Sequence, residues 1–194
     1  MLGIKTGQAA NAVYVMTFFE KAKECRGLPL VIGTDNGSAY CNEEVSDYLH
    51  REKVVHLLSL PRTPEHNGSA EIGMRELKDE AMLGKGVTLA SLSAPHALLV
   101  QATNRINIRL RGSKKFKSAN DLDDTLLDAR DMIDRDVFYD ECQQGISDLR
   151  GCHLNGRELR KKERELILKT LEKYGAIQQT RGGRIYGEKQ EVIL

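Results

Sequence analysis

From Gln8 to Glu24, apolar residues return every three or four positions (Ala12, Val15, Met16, Phe19, Ala22), the period of an amphipathic helix. Gly27 is its natural stop, and Pro29 forbids continuation. The pattern then changes. Leu30-Val31-Ile32-Gly33-Thr34 is short, apolar and partly β-branched, which predicts a buried strand, and Asp35-Asn36-Gly37 after it is tight-turn sequence. A second helix is expected from Asn42 to Arg51, capped by Asn42 and with Glu43 and Glu44 in its first turn. Val54 to Leu60 (VVHLLSL) predicts a second buried strand with His56 as a core histidine. Pro61 to Gly68, a loop with two prolines and an Asn-Gly, leads to a helix over Ser69 to Met82, and another follows over Ala94 to Leu110.

Helix, strand, helix, strand, loop and helix is the order of an α/β fold with parallel strands, in which ligands gather at the carboxyl ends of the strands. Beyond it, Asp121 to Asp148 reads as acidic helix folded against the core as a spacer. Arg157 to Tyr174 is a further amphipathic helix (Leu159, Leu166, Ile167, Leu168, Leu171) stopped by Gly175. Ala176 to Thr180 and Arg184 to Leu194 flank Arg181-Gly182-Gly183, the pattern of a basic-tipped hairpin. The expected divisions are therefore 1–118, 119–156 and 157–194.

With 194 residues, 40% of them hydrophobic, the chain can bury one ordinary core and carry an appendage. It shows neither a membrane-length apolar run nor a signal-peptide pattern, so no membrane partner and a cytoplasmic, nucleoid-associated location are expected. Cys25, Cys41, Cys142 and Cys152 lack a paired spacing and read as reduced thiols. The net charge of +1 hides a patterned distribution. Arg105 to Lys117 holds six bases and no acid, Asp121 to Asp148 ten acids against two arginines, and Arg157 to the end ten bases against six acids. Such alternation suits a protein that meets a polyanion with some surfaces only, or else marks ordinary solvated helix faces. Within the basic run, Lys114, Lys115 and Lys117 around Phe116 are candidate phosphate contacts.

Asp35 falls at a strand end and Glu71 in the first turn of the helix after the proline-bearing loop, with 35 residues between them. Two carboxylates meeting at one edge of a sheet suit a hard divalent cation, which phosphodiester chemistry uses to hold attacking and leaving oxygens. Arg75 lies one turn beyond Glu71, and Lys78 two turns beyond, only about 20 degrees away around the axis. These cations can hold a phosphate backbone against the metal, although Arg75 also fits a plain solvated position.

Thr34-Asp35-Asn36-Gly37, the Pro61 to Gly68 loop with Pro64 and Asn67-Gly68, Glu71 and Leu77-Lys78 together resemble the second half of the catalytic core of retroviral integrases and bacterial insertion-sequence transposases. The likeness covers roughly residues 5 to 115. It implies a ribonuclease-H-like fold, here a partial core followed by a helical region and a C-terminal hairpin. It also implies an Asp, Asp, Glu triad and Mg2+ or Mn2+ used to cut and join DNA ends. On these positions Asp35 and Glu71 would be catalytic metal ligands, Lys78 would contact DNA, and Asn67 and Gly68 would belong to the loop beside the site.

The resemblance has a gap. The family's first aspartate lies on the first strand of its sheet, some fifty or more residues before the second, yet none of the 34 residues before Asp35 is an aspartate. The chain is therefore expected to begin inside the fold, to bind the metal weakly or not at all, and to be inactive alone in strand transfer. Beside a generic α/β domain that carries these residues by chance, two readings stand: a fragment of a mobile element's integrase or transposase, or a non-catalytic DNA-binding or transposase-interacting protein that keeps the half-core as a scaffold. DNA is the expected partner in both, with a homo-oligomer or a complex with a full-length transposase beside it.

Overall fold

The structure, a computed structural model, describes residues 11–61, 63, 68–83, 94–112, 116–122 and 132–177. It is a mixed α/β molecule, mostly helical, around a two-stranded parallel sheet. The elements run α1 (Ala12–Arg26), β1 (Val31–Thr34), α2 (Glu43–Arg51), β2 (Val55–Leu58), α3 (Gly68–Glu80), α4 (Pro95–Ile108), α5 (Arg135–Arg150) and α6 (Gly156–Lys173). None of the described helices is long and apolar enough to cross a membrane.

Capping chemistry sets most of these ends. Asn11, Asn42, Asp134 and Asn155 each accept backbone N–H groups at the start of α1, α2, α5 and α6. Three helices close with the same pair of reversed bonds and a left-handed residue. After α6 that residue is Gly175 (φ 69°), with Gly175 N bonded to Glu172 O and Ala176 N to Leu171 O, both at 2.9 Å. After α2 and α3 it is Lys53 (φ 53°) and Met82 (φ 55°), side chains that have no natural place there.

The strands pair in parallel, Val31 opposite Val55 and Thr34 opposite Leu58. A parallel sheet needs cover on both faces, and helices supply it. On one face, Val31, Val55 and Leu57 join Phe138, Tyr139, Cys142 and Ile146 of α5 and Ile167 and Leu171 of α6 in one core cluster. The regions expected as spacer and appendage thus share a core with the strands, closed by Ala176 and Ile177. Gly145 lets α5 and α6 approach closely, since a Cβ there would stand 2.7 Å from Leu166 Cδ1. Residues 178–194, which hold most of the expected hairpin, lie outside the described residues.

On the other face, Val15, Phe19 and Ala22 of α1 pack with Val45, Tyr48 and Leu49 of α2, and Ile32 of β1 leans against them. Each such fully buried side chain is worth about 1.5–3 kcal/mol before entropy is counted. Arg135, at the start of α5, ties the layers by donating to the carbonyls of Pro29 (2.9 Å) and Leu28 before β1. α3 and α4 form a third, smaller cluster of their own: Leu77, Ala81, Leu99, Ala102 and Ile106. All four cysteines are free thiols, and burial pushes that of Cys142 up to about 11.

Candidate functional site

Parallel pairing sends the ends of β1 and β2 out at one edge of the sheet. Asp35 is the first residue past β1 and is exposed; its Oδ1 accepts the Gly37 N–H at 2.9 Å. A Cβ on Gly37 would come within 2.9 Å of that oxygen, so the turn favours glycine here. Asn36 stitches the edge together, donating through Nδ2 to Ser59 O at 2.9 Å, while Ser59 N donates to Thr34 O at 2.9 Å. Thr34 gives its hydroxyl proton to the Asp35 carbonyl (3.0 Å) and lies 2.8 Å from His56 Nε2. Burial lowers the pKa of His56, which keeps the ring neutral.

Glu71 lies in the first turn of α3 and is exposed, as are Arg75 and Lys78. Leu77 faces the opposite way, into the cluster shared with α4. Neither Arg75 nor Lys78 pairs with an acid among the described residues. The helix therefore divides by face. Two of its other acids are consumed, while Asp79 is exposed: Glu80 accepts from Arg105 Nε at 2.7 Å and from Arg109, and Glu76 accepts from Arg111 Nη2 at 2.8 Å on both oxygens.

This pairing changes the meaning of the basic run. Half of its six bases, Arg105, Arg109 and Arg111, are neutralised by α3. Lys117 is exposed and its carbonyl accepts from Arg111 N at 3.2 Å, next to Phe116 at 75% exposure. Lys114, Lys115 and Asn67 lie outside the described residues. Among the described residues no group of three or more His, Cys, Asp and Glu side chains gathers in a way that could hold a metal ion.

One contributor to this edge was not legible beforehand. Arg160, in the second turn of α6, donates from Nη1 to Asn36 Oδ1 at 2.7 Å, across 124 positions of sequence. Nothing in the local pattern around Arg160 signals it.

No known family profile matches the chain. Over 111 residues it is 28% identical to the Gag-Pro-Pol polyprotein of mouse mammary tumor virus (strain BR6). The likeness is to a retroviral polyprotein. It takes in 56% of this chain and spans only 6% of the polyprotein's length. Similarity at this level points to a retroviral or mobile-element relationship.

Proposed function

We propose that this chain is part of an integrase- or transposase-type core of a mobile element, contributing the second and third carboxylates of a metal-dependent DNA strand-transferase. The observation that supports this best is the parallel sheet edge: Asp35 leaves β1 there, and the chain leaving β2 at the same edge enters α3, whose first turn holds Glu71. The distant likeness to a retroviral polyprotein agrees with it.

The donor set suits the implied ion. Asp35 and Glu71 are exposed oxygen donors, which Mg2+ or Mn2+ prefers, and with only two carboxylates water would complete the shell. When bound, such an ion polarises a phosphodiester and activates its nucleophile. Asp35 would hold it from a turn braced by Gly37 N and by Asn36, and Glu71 from the α3 side. Lys78 and Arg75, on the same helix face and without an acid partner among the described residues, would neutralise the phosphates of the DNA strand being positioned. Among the described residues β1 pairs only with β2, and its other edge is where a strand bearing the first aspartate would dock.

Mn2+ titration followed by water-proton relaxation tests this reading. Weak saturable binding is expected that disappears in both Asp35→Asn and Glu71→Gln; binding indifferent to either substitution would refute it. A second reading, a non-catalytic DNA-binding scaffold, draws on the uncommitted Arg75 and Lys78. It gains if salt-dependent DNA binding survives Glu71→Gln, while Lys78→Ala lowers the salt slope by about one.

A further inference from the structure

Beside β2, from Val54 to Leu58, a cavity of about 340 Å³ lies between α2 and the α5–α6 pair. Its volume is about ten times the share of one water and within the size range of small-molecule sites. Its walls are partly apolar, through Leu49, Val55, Leu57 and Ile167. Its charges are not balanced. Arg150, Arg160 and Arg164 line it against Asp47 and Glu163, with His50 and His56. Glu163 is occupied by Arg150 at 3.1 Å, and Asp47 is exposed. His50 is committed to Tyr139 Oη at 2.6 Å and His56 to Thr34.

That leaves Arg160 and Arg164. They stand four residues apart on α6 and so share its face, an arrangement that like charges disfavour. The partner of Arg160 is the neutral Asn36 amide. Arg164 is half-buried and pairs with no acid among the described residues; burial alone pushes its pKa down, with no carboxylate opposing. A half-buried guanidinium without a counter-charge is costly unless something polar meets it.

We propose that this cavity binds a phosphate monoester of mononucleotide size, its phosphate held by Arg160 and Arg164 and its ring against the apolar wall. Phosphate is favoured because two guanidiniums lining one space present two positive charges and several N–H donors, which suit a doubly charged anion better than a singly charged carboxylate. The site adjoins the Asp35 edge through the Arg160–Asn36 bond, but it uses neither Asp35 nor Glu71 and does not depend on the function proposed for them. A free nucleotide and the 5′-phosphorylated end of a DNA strand share this chemistry.

The test is a titration of the full chain with a nucleoside 5′-monophosphate, read by ³¹P line broadening and calorimetry, with the unphosphorylated nucleoside and inorganic phosphate as comparisons. Saturable binding is expected for the monophosphate, competed by inorganic phosphate and at least about ten-fold weaker in Arg164→Gln and Arg160→Gln. Arg164→Gln should keep the wild-type circular dichroism and thermal midpoint, and it decides the matter if Arg160→Gln loosens the Asn36 turn. Asp35→Asn and Glu71→Gln should leave this binding unchanged while abolishing the Mn2+ response. Competition by a 5′-phosphorylated oligonucleotide, but not its 5′-hydroxyl form, would identify a DNA end as the source; no competition by either would identify the free nucleotide. Equal binding of nucleoside and monophosphate, no saturable binding, or full affinity in Arg164→Gln would overturn the proposal.

Discussion

The sheet with α5 and α6 and the α3–α4 pair are built on different principles. The first buries Phe138, Cys142 and Val55 completely, and its one cluster draws on four elements, β1, β2, α5 and α6, and their flanking residues. The second shares five buried residues and is braced by arginine–glutamate pairs at its surface. It also leaves apolar side chains in solvent, among them Ile72 (64%), Ile108 (65%) and Leu110 (62%). Stability is invested in the sheet, while the freely presented charges of the candidate site, Glu71, Arg75 and Lys78, ride on the less deeply packed pair. That division fits a rigid platform carrying a working surface.

The comparison can be broken first at its strongest point. Phe138, wholly buried with its ring edge-on to Tyr174 at 5.6 Å between centroids, should cost about 3–5 kcal/mol as Phe138→Ala in urea unfolding. Leu77→Ala, in the smaller cluster, should cost about 2–3 kcal/mol, and hydrogen exchange should speed up in α3 and α4 before it does in α5 and α6. If both substitutions accelerate exchange everywhere equally, the two regions are one cooperative unit and the contrast fails. Met82→Gly should stabilise by about 0.5–1 kcal/mol, since Met82 holds a left-handed backbone and its side chain is 89% exposed, with little packing to lose.

The smallest effect is on acid. Glu80 sits below the usual carboxylate range, first through the hydrogen bond from Arg105, then through Arg109, with burial opposing. A carboxyl lowered in the folded state contributes its stability above the unfolded pKa and loses it as pH falls through the folded value. Stability should therefore be complete at neutral pH, start to decline near the ordinary glutamate value of about 4.3 and fall further below it. Glu80→Gln should remove that part of the slope, and salt should shrink it, because the arginines are half-exposed. A pH profile identical in wild type and Glu80→Gln would mean that these pairs brace nothing.

Local chemistry carried much of the fold. Asn42 and Gly175 bound their helices where expected, because caps act within one turn. The apolar positions foreseen on the first helix, Val15, Phe19 and Ala22, are the buried ones. The third helix closes at Glu80 rather than Met82, since Met82 itself takes the left-handed turn. In the acidic stretch residues 119–122 are helical, 123–131 lie outside the described residues, and α5 begins at Arg135 because the Asp134 carboxylate caps it. The basic run was misleading in part. One-dimensional spacing does not reveal which face of α4 meets α3, and that face decides which arginines find acids.

The sequence alone determined the order of helices and strands, the strand-end position of Asp35 and the helix-start position of Glu71, since periodicity, capping and turn propensity act over a few residues. Only the tertiary structure decided that Arg105, Arg109 and Arg111 are spent on Glu76 and Glu80, and that Arg160 reaches Asn36 beside a cavity where Arg164 meets no acid among the described residues. Those outcomes depend on how layers pack across tens of residues of intervening chain, and a charge acquires its meaning from the neighbours that packing gives it.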